Sequence, residues 1–375
     1  MNIGQPSASS DLTPLSWVQE EVRRQLEAVN KVLRRQLREF DLRQAGGQLD
    51  AAALASVLQT QALQLHQVSG VLRLVNLDEG HRLMQAAESL LVRCAGDATL
   101  RTEQVEAVER AGFALLTYMT RSVSGARPSP LALFPAYRRL QELNQAERIH
   151  PADFWPQHFE WRTLPPPQLV DAGLPSLDAL RTSFEGALLR QMRETSATHA
   201  ASLAELCAGI GLALRREPQQ SFWQLAAAHF EAQAQGMLAS DQLVKRMASR
   251  LLAQLRDDLR GSTEVSDRLV QDLLFFCAQS GEPKLGQAPR LRAVRAAYGI
   301  DEAEIGDYRD DSLGRIDPAW VQQAMRRVSA AKEAWSACAE GDMVRAAALD
   351  DASGHLAESL VQLFAGGEHL GQTLQ

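Results

Sequence analysis

Apolar residues recur at spacings of three and four along most of the chain, which is the helical period, and no stretch of useful length alternates as a strand would. The first helix is expected from about Ser16 to Phe40, with Val18, Val22, Leu26, Val29, Leu33, Leu37 and Phe40 on its inner face. A Gly46-Gly47 joint follows, and a second helix is expected after Asp50, a good N-cap residue, reaching about Val75. Its apolar stripe is Leu54, Leu58, Leu65, Val68, Leu72 and Val75. Asp78 is placed to cap a third helix carrying Leu83, Met84, Ala87, Leu91 and Cys94 inward and stopping at Gly96. Thr102 is placed to cap a fourth, with Val105, Val108, Leu115 and Met119 inward. Four amphipathic helices on short joints predict an antiparallel up-down-up-down bundle over residues 1–126.

Nine of the fifteen prolines then fall within 48 residues, from Pro128 to Pro175. Proline lacks the backbone donor and clashes inside a helix, so residues 127–175 are expected to form a linker without long helices. Trp155 and Trp161 suggest that this linker packs on the second domain. Helical stripes resume with Leu177, Leu180, Phe184, Leu188 and Met192, then Leu203, Leu206, Ile210 and Leu214. Further helices are expected to contain Phe222 to Met237 and Leu243 to Leu259, with shorter segments around Leu269 to Phe276 and Leu291 to Tyr298. Two long ones follow Pro318. The fold class is all-α: a four-helix bundle, a proline-rich linker, and a second multi-helix domain over 176–375. The abrupt Gly366-Gly367-Glu368-His369 ending reads as a cut inside a longer protein.

Composition narrows the function more than the fold. Of 375 residues, 45% are hydrophobic, 23% charged and only 6% aromatic, and the net charge is −7. That balance is globular and argues against nucleic acid as a partner. The basic residues of the first helix alternate with Glu20, Glu21, Glu27 and Glu39 and read as a solvated face. The longest uncharged stretch, Ala51 to Leu72, carries Gln59, Gln61, Gln64, His66 and Gln67, too polar for a membrane span. Cys94, Cys207, Cys277 and Cys338 are scattered among apolar helical positions, as buried thiols of a reducing compartment would be. A cytoplasmic location is expected.

Chemistry concentrates at one residue. His66 lies off the apolar stripe of the second helix, and the positions sharing its face are Gln59, Ala62, Leu63, Ser69, Gly70 and Arg73. An imidazole among small and polar neighbours should face solvent or a partner. Gly70, one turn on, gives it clearance at a helix-propensity cost of about 1 kcal/mol. An ordinary surface histidine beside a packing glycine is the plainer alternative. No metal site is expected from His66 and His81, and Gly209-Ile210-Gly211 sits in a helical stripe, where a nucleotide loop does not form. Asp307, Asp310 and Asp311 lack the calcium-loop spacing. His199 and His229 read as structural or surface residues. No cofactor motif, nucleophile elbow, Walker loop or kinase ATP site is present.

The run Leu65-His66-Gln67-Val68-Ser69-Gly70 resembles the histidine phosphotransfer (Hpt) motif, a helical His followed by Lys three and Gly four residues later. Here Ser69 replaces the basic residue. Ser16-Trp17-Val18-Gln19-Glu20-Glu21, taken with residues 65–72, is similar to the N-terminal region of the large hybrid chemosensory histidine kinases that control type IV pili. Four later runs resemble the domain that follows there, shared with FimL-type scaffold proteins: Ser221-Phe222-Trp223-Gln224-Leu225, residues 244–250, Leu273-Leu274-Phe275-Phe276, and residues 290–295.

The resemblance implies a phosphorelay controlling twitching motility, with His66 as phosphoacceptor. Gln59, Ala62, Ser69, Gly70 and Arg73 would be the docking positions around it. The implied partners are a receiver domain and a histidine kinase core, or other pilus signalling proteins; this chain carries no kinase core of its own. The loss of a cation at position 69 lowers transfer competence, since that charge helps hold the incoming phosphoryl group. Two readings therefore stay open beside a remoter one of an unrelated helical adaptor: a phosphotransfer bundle, and an inactive scaffold that docks partners through the same face.

Overall fold

A computed structural model describes residues 13–44, 51–126, 128–155, 160–165, 175–284, 286–300, 306–340, 346–364 and 367–374. Among these no strand occurs, and the fold is all-α. The chain divides into two compact units, Met1–Ile149 with Tyr308–Gln375, and His150–Asp307.

In the first unit α1 (Thr13–Gln44), α2 (Ala51–Leu74), α3 (Asp78–Gly96) and α4 (Thr102–Val123) form a closed bundle. Here α1 packs on α2 and α4, and α3 packs on the same two. The inward residues are those the periodicity selects: Val29, Leu33, Leu58, Leu65, Leu72, Leu83, Leu91 and Leu115 have no exposed surface. Each contributes roughly 1.5–3 kcal/mol through burial. The caps differ from expectation. Asp78 and Thr102 are the first helical residues and do not cap; at the start of α4 the Gln104 side chain instead accepts the Arg101 N–H at 2.8 Å. Asp50 and the Gly46-Gly47 joint lie outside the described residues.

The proline-rich stretch is divided between the units. Pro130 opens a 3-10 turn (Pro130–Leu133) and Pro135 stands in the first turn of α5 (Phe134–Leu143), where its missing N–H has no helical partner to lose. This segment packs on α3 and α4, and Asn144 Nδ2 donates to the Ala86 carbonyl at 3.0 Å. It belongs with the bundle and is not a linker resting on the second domain. Trp155 and Trp161 do serve the second unit: Trp155 stands edge-on to Phe275 at 6.0 Å, and Trp161 donates to Asp267 at 3.3 Å.

The C-terminal helices α12 (Pro318–Ala339), α13 (Ala346–Leu363) and α14 (Gly367–Leu374), expected within the second domain, also group with the first unit. Before α12, Arg110 of α4 pairs with Asp311 at 2.5 Å and Tyr308 meets Phe134 edge-on at 6.2 Å. Gly314 adopts φ +76°, and a Cβ there would lie 2.5 Å from the Arg110 carbonyl oxygen, so only glycine permits this approach.

The second unit contains α6 (Leu177–Arg193), α7 (Ala197–Leu214), α8 (Gln219–Ala234), α9 (Gln242–Leu259), α10 (Asp267–Gln279) and α11 (Pro289–Tyr298). The core helix is α8, buried on nearly every side. On α6 the phase differs from expectation at one end: Gln191 is buried and Met192 is exposed. Gly209 and Gly211 are packing residues, as their place in a stripe implied; a Cβ on Gly211 would come within 3.2 Å of Trp223 and the Gln220 carbonyl on α8. By length and composition α7 could cross a membrane. Here it packs between α6 and α8, and Glu205 in its middle forms a bidentate pair with Arg290 at 2.8 and 2.9 Å.

Two buried carboxylates and one buried arginine of this unit are well partnered, whereas Gln224 Nε2 and His229 Nδ1 are buried without a hydrogen bond. Asp258 accepts from Trp223 at 2.8 Å, Gln219 at 2.8 Å and Gln254 at 3.0 Å. Asp272, with no exposed surface, pairs with Arg250 and, at 3.1 Å, with His150. Arg295 caps the C-terminal carbonyls of α10, donating to Cys277 and Ala278 at 3.1 Å each. Such networks are strong in a low-dielectric interior only when satisfied, and each of these carboxylates has two or more partners.

Candidate functional site around His66

His66 stands near the middle of α2 with its side chain 68% exposed. Its phase explains the neighbourhood. Residues 62 and 69 fall on one side of it around the helix, residues 63 and 70 on the other. On the first side α3 covers the helix, so Ala62 and Ser69 are buried, at 4% and 2% exposure. Expected on the open docking face, these two are removed from it by α3. Gln59, Leu63, Gly70 and Arg73 are exposed as the phase predicts.

The α3 flank carries a residue that sequence reasoning passed over. Glu88 reaches back to His66, its carboxylate oxygens 3.1 and 3.2 Å from Nδ1. With a carboxylate as acceptor, Nδ1 keeps the proton and the lone pair of the neutral ring lies on Nε2. Among the described residues Nε2 has no hydrogen-bond partner. One turn further along, the Ser69 hydroxyl and carbonyl both lie within hydrogen-bond reach of His81 Nδ1, at 2.7 and 2.9 Å. A long basic side chain at position 69 would have to displace that ring. His66 and His81 therefore serve two separate contacts, and among the described residues no cluster of potential ligands could hold a metal ion.

His66 also borders an open groove of about 450 Å³. Its floor is the outer stripe of α3, with Arg82, Gln85 and Ser89, and its far wall is Tyr137 and Gln141 of α5. Gly70 is fully clear: a Cβ there would meet nothing within 4 Å. No packing requirement accounts for that glycine.

Elsewhere the titratable groups are structural. Burial pushes the Cys94 thiol up to about 11 and Cys277 up to about 12, while Cys207 rises further. Such thiols are inert at neutral pH. His229, wholly buried in α8, is pushed down to about 3 and is neutral. The second unit offers only this kind of buried framework and no exposed reactive constellation among its described residues.

That framework has a recognisable sequence. Residues 171–311 match the family model of the FimL scaffold protein second domain. The match begins just before α6 and ends just past α11, so it takes in all six helices of the second unit, though not its first 21 residues, and a little over a third of the chain. The FimL-like region therefore stops short of α12, where the sequence alone carried it to residue 375. No curated protein and no solved structure matches the chain.

Proposed function

We propose that this chain is a FimL-type scaffold of type IV pilus chemosensory signalling, with a bundle in which His66 accepts a phosphoryl group. The observation that carries the chemistry is the His66–Glu88 pair. An exposed imidazole is held by Nδ1, its other nitrogen is unengaged, and the adjacent Gly70 adds no bulk. In transfer, Nε2 attacks the phosphorus, the P–N bond forms as the donor's bond to phosphorus breaks, and the leaving group departs with its electron pair. Positive charge then develops on the ring, and Glu88 stabilises it from the opposite side, as a carboxylate does behind any catalytic imidazole. Exposed Leu63, one turn before His66, and Val92, one turn after Glu88, give a partner protein an apolar foothold beside the reacting nitrogen.

The competing reading, a docking scaffold without chemistry, is favoured by the buried serine at position 69 and by the scaffold description of the matching domain. One experiment separates them: incubation of the chain with the cognate chemosensory kinase, ATP and receivers, followed by detection of acid-labile phosphate. Label on the native chain that disappears in His66→Gln supports transfer. Partner binding that survives His66→Gln, with no label on either protein, supports the scaffold.

A further inference from the structure

We propose that Arg82 is the cation that positions the phosphoryl group at His66, supplied from α3 in place of the basic residue missing at position 69. The inference rests on the phosphoacceptor reading and gives it a second residue. Two contacts set the antiparallel register of α2 and α3: His66 with Glu88, and Ser69 with His81. That register puts Arg82 beside the turn of α2 carrying Ser69 and Gly70, one turn below the reacting imidazole. Arg82 is exposed, lines the same groove as His66, and forms no ion pair among the described residues. Its charge acts on Glu79, three residues earlier on α3, but its guanidinium makes no direct ion pair there and borders the groove into which a phosphoryl group on Nε2 would extend.

The groove holds a carboxylate, Glu88, which would repel a phosphoryl group unless a positive charge offset it. Gln85 adds amide donors on the same stripe, and the open space at Gly70 leaves the approach unobstructed. Arg73 is the other basic residue on the His66 face, but it lies seven residues on, about 10 Å along the helix, and does not border the groove.

The test uses the full chain with phosphoramidate as a small phosphoryl donor, so that no partner protein enters the rate. The P–N bond of the donor breaks, ammonia leaves with a proton, and the phosphoryl group passes to His66 Nε2. Phosphohistidine is followed by phosphorus NMR as a function of donor concentration. Arg82→Gln is expected to slow labelling roughly 10- to 100-fold, the range of one charge-assisted contact. Arg82→Lys should recover part of the rate, because it restores charge without the planar fork. Arg121→Gln, an exposed arginine in the last turn of α4 outside the groove, should label at the native rate. Native-rate labelling of Arg82→Gln overturns the proposal, as does an equal loss in Arg82→Gln and Arg82→Lys, which would indicate a structural role. No label on the native chain removes the phosphoacceptor reading and this inference together, whereas a labelled native chain indifferent to Arg82 removes this inference alone.

Discussion

Acid should weaken this protein through His229 before it protonates most carboxylates. The imidazole has no exposed surface, and Gln233 donates to its Nε2 at 2.9 Å. Gln233 is itself oriented by the Gln191 amide at 3.4 Å, so Nε2 is the acceptor and the proton sits on Nδ1. Burial lowers the imidazole from 6.5 to about 3. The folded value is the depressed one, so below pH 6.5 the unfolded chain binds a proton that the folded chain refuses. The stabilisation is complete above that point and is lost as pH falls towards 3, at about 1.4 kcal/mol per pH unit. Between pH 7.5 and pH 5 the loss is about 2 kcal/mol. The assay is urea unfolding followed by tryptophan fluorescence, on the native chain and on His229→Leu, across that range. Carboxylates contribute equally to both proteins, so their difference isolates His229. The difference should grow by about 2 kcal/mol in favour of the leucine variant as pH falls. A flat difference would refute the assignment of a neutral, proton-excluding histidine, and growth in the opposite direction would indicate an unseen anionic partner.

Other perturbations are sharper. Gly70→Ala adds a methyl that meets nothing within 4 Å in a helical position, so it should stabilise the bundle by about 0.5–1 kcal/mol. Gly80→Ala places its methyl 2.9 Å from Leu115 and should destabilise by about 1–3 kcal/mol; thermal midpoints of the two variants should move in opposite directions. Asp272→Asn leaves Arg250 and His150 without their charge partner, and chemical denaturation should register a loss of about 2–4 kcal/mol. Arg250 keeps some access to water, which holds the cost below that of a fully buried pair. Gly314→Ala cannot keep φ +76° against the Arg110 carbonyl without strain, so residues 308–317 should come away from α4 and show faster amide exchange at unchanged helix content.

The helices were legible because their apolar period is unbroken: the stripes of α1 to α4 name the core almost residue by residue. What period could not supply was register between helices. Ala62 and Ser69 share a face with His66 on a helical wheel, and only the side on which α3 lies decides that both are buried. Glu88 was invisible for the same reason. The α2–α3 hairpin turns near residues 75–77, so residues at equal distances from the turn oppose each other; applied to His66, that rule points to the stretch holding Glu88. Proline content misled in one place. Pro130 and Pro135 start helical turns without interrupting them, so the stretch read as linker yields α5 and one wall of the groove. The grouping of α12–α14 with the bundle depends on Asp311 and Gly314 reaching α4, contacts some 200 residues apart that no local pattern encodes.

The energetics of the His66 face bear on what it is for. A histidine 68% exposed, paired with a carboxylate 25% exposed, contributes at most about 1 kcal/mol to folding. Gly70 removes roughly that amount again, and nothing packs against it in return. The fold therefore gains almost nothing from His66, Glu88 and Gly70 taken together, in a bundle most of whose inward apolar positions are buried. Ser69 is the exception, since its hydroxyl and carbonyl engage His81 and help to lock α2 on α3. The position that departs from the phosphotransfer pattern is thus the one recruited to packing, while the positions that keep the pattern are those packing does not need. Stability explains the serine; it does not explain the oriented imidazole, the carboxylate behind it, or the clearance beside it. The proposed access for a phosphoryl group would account for all three, with Arg82 on the neighbouring helix as the proposed replacement for the charge absent at position 69.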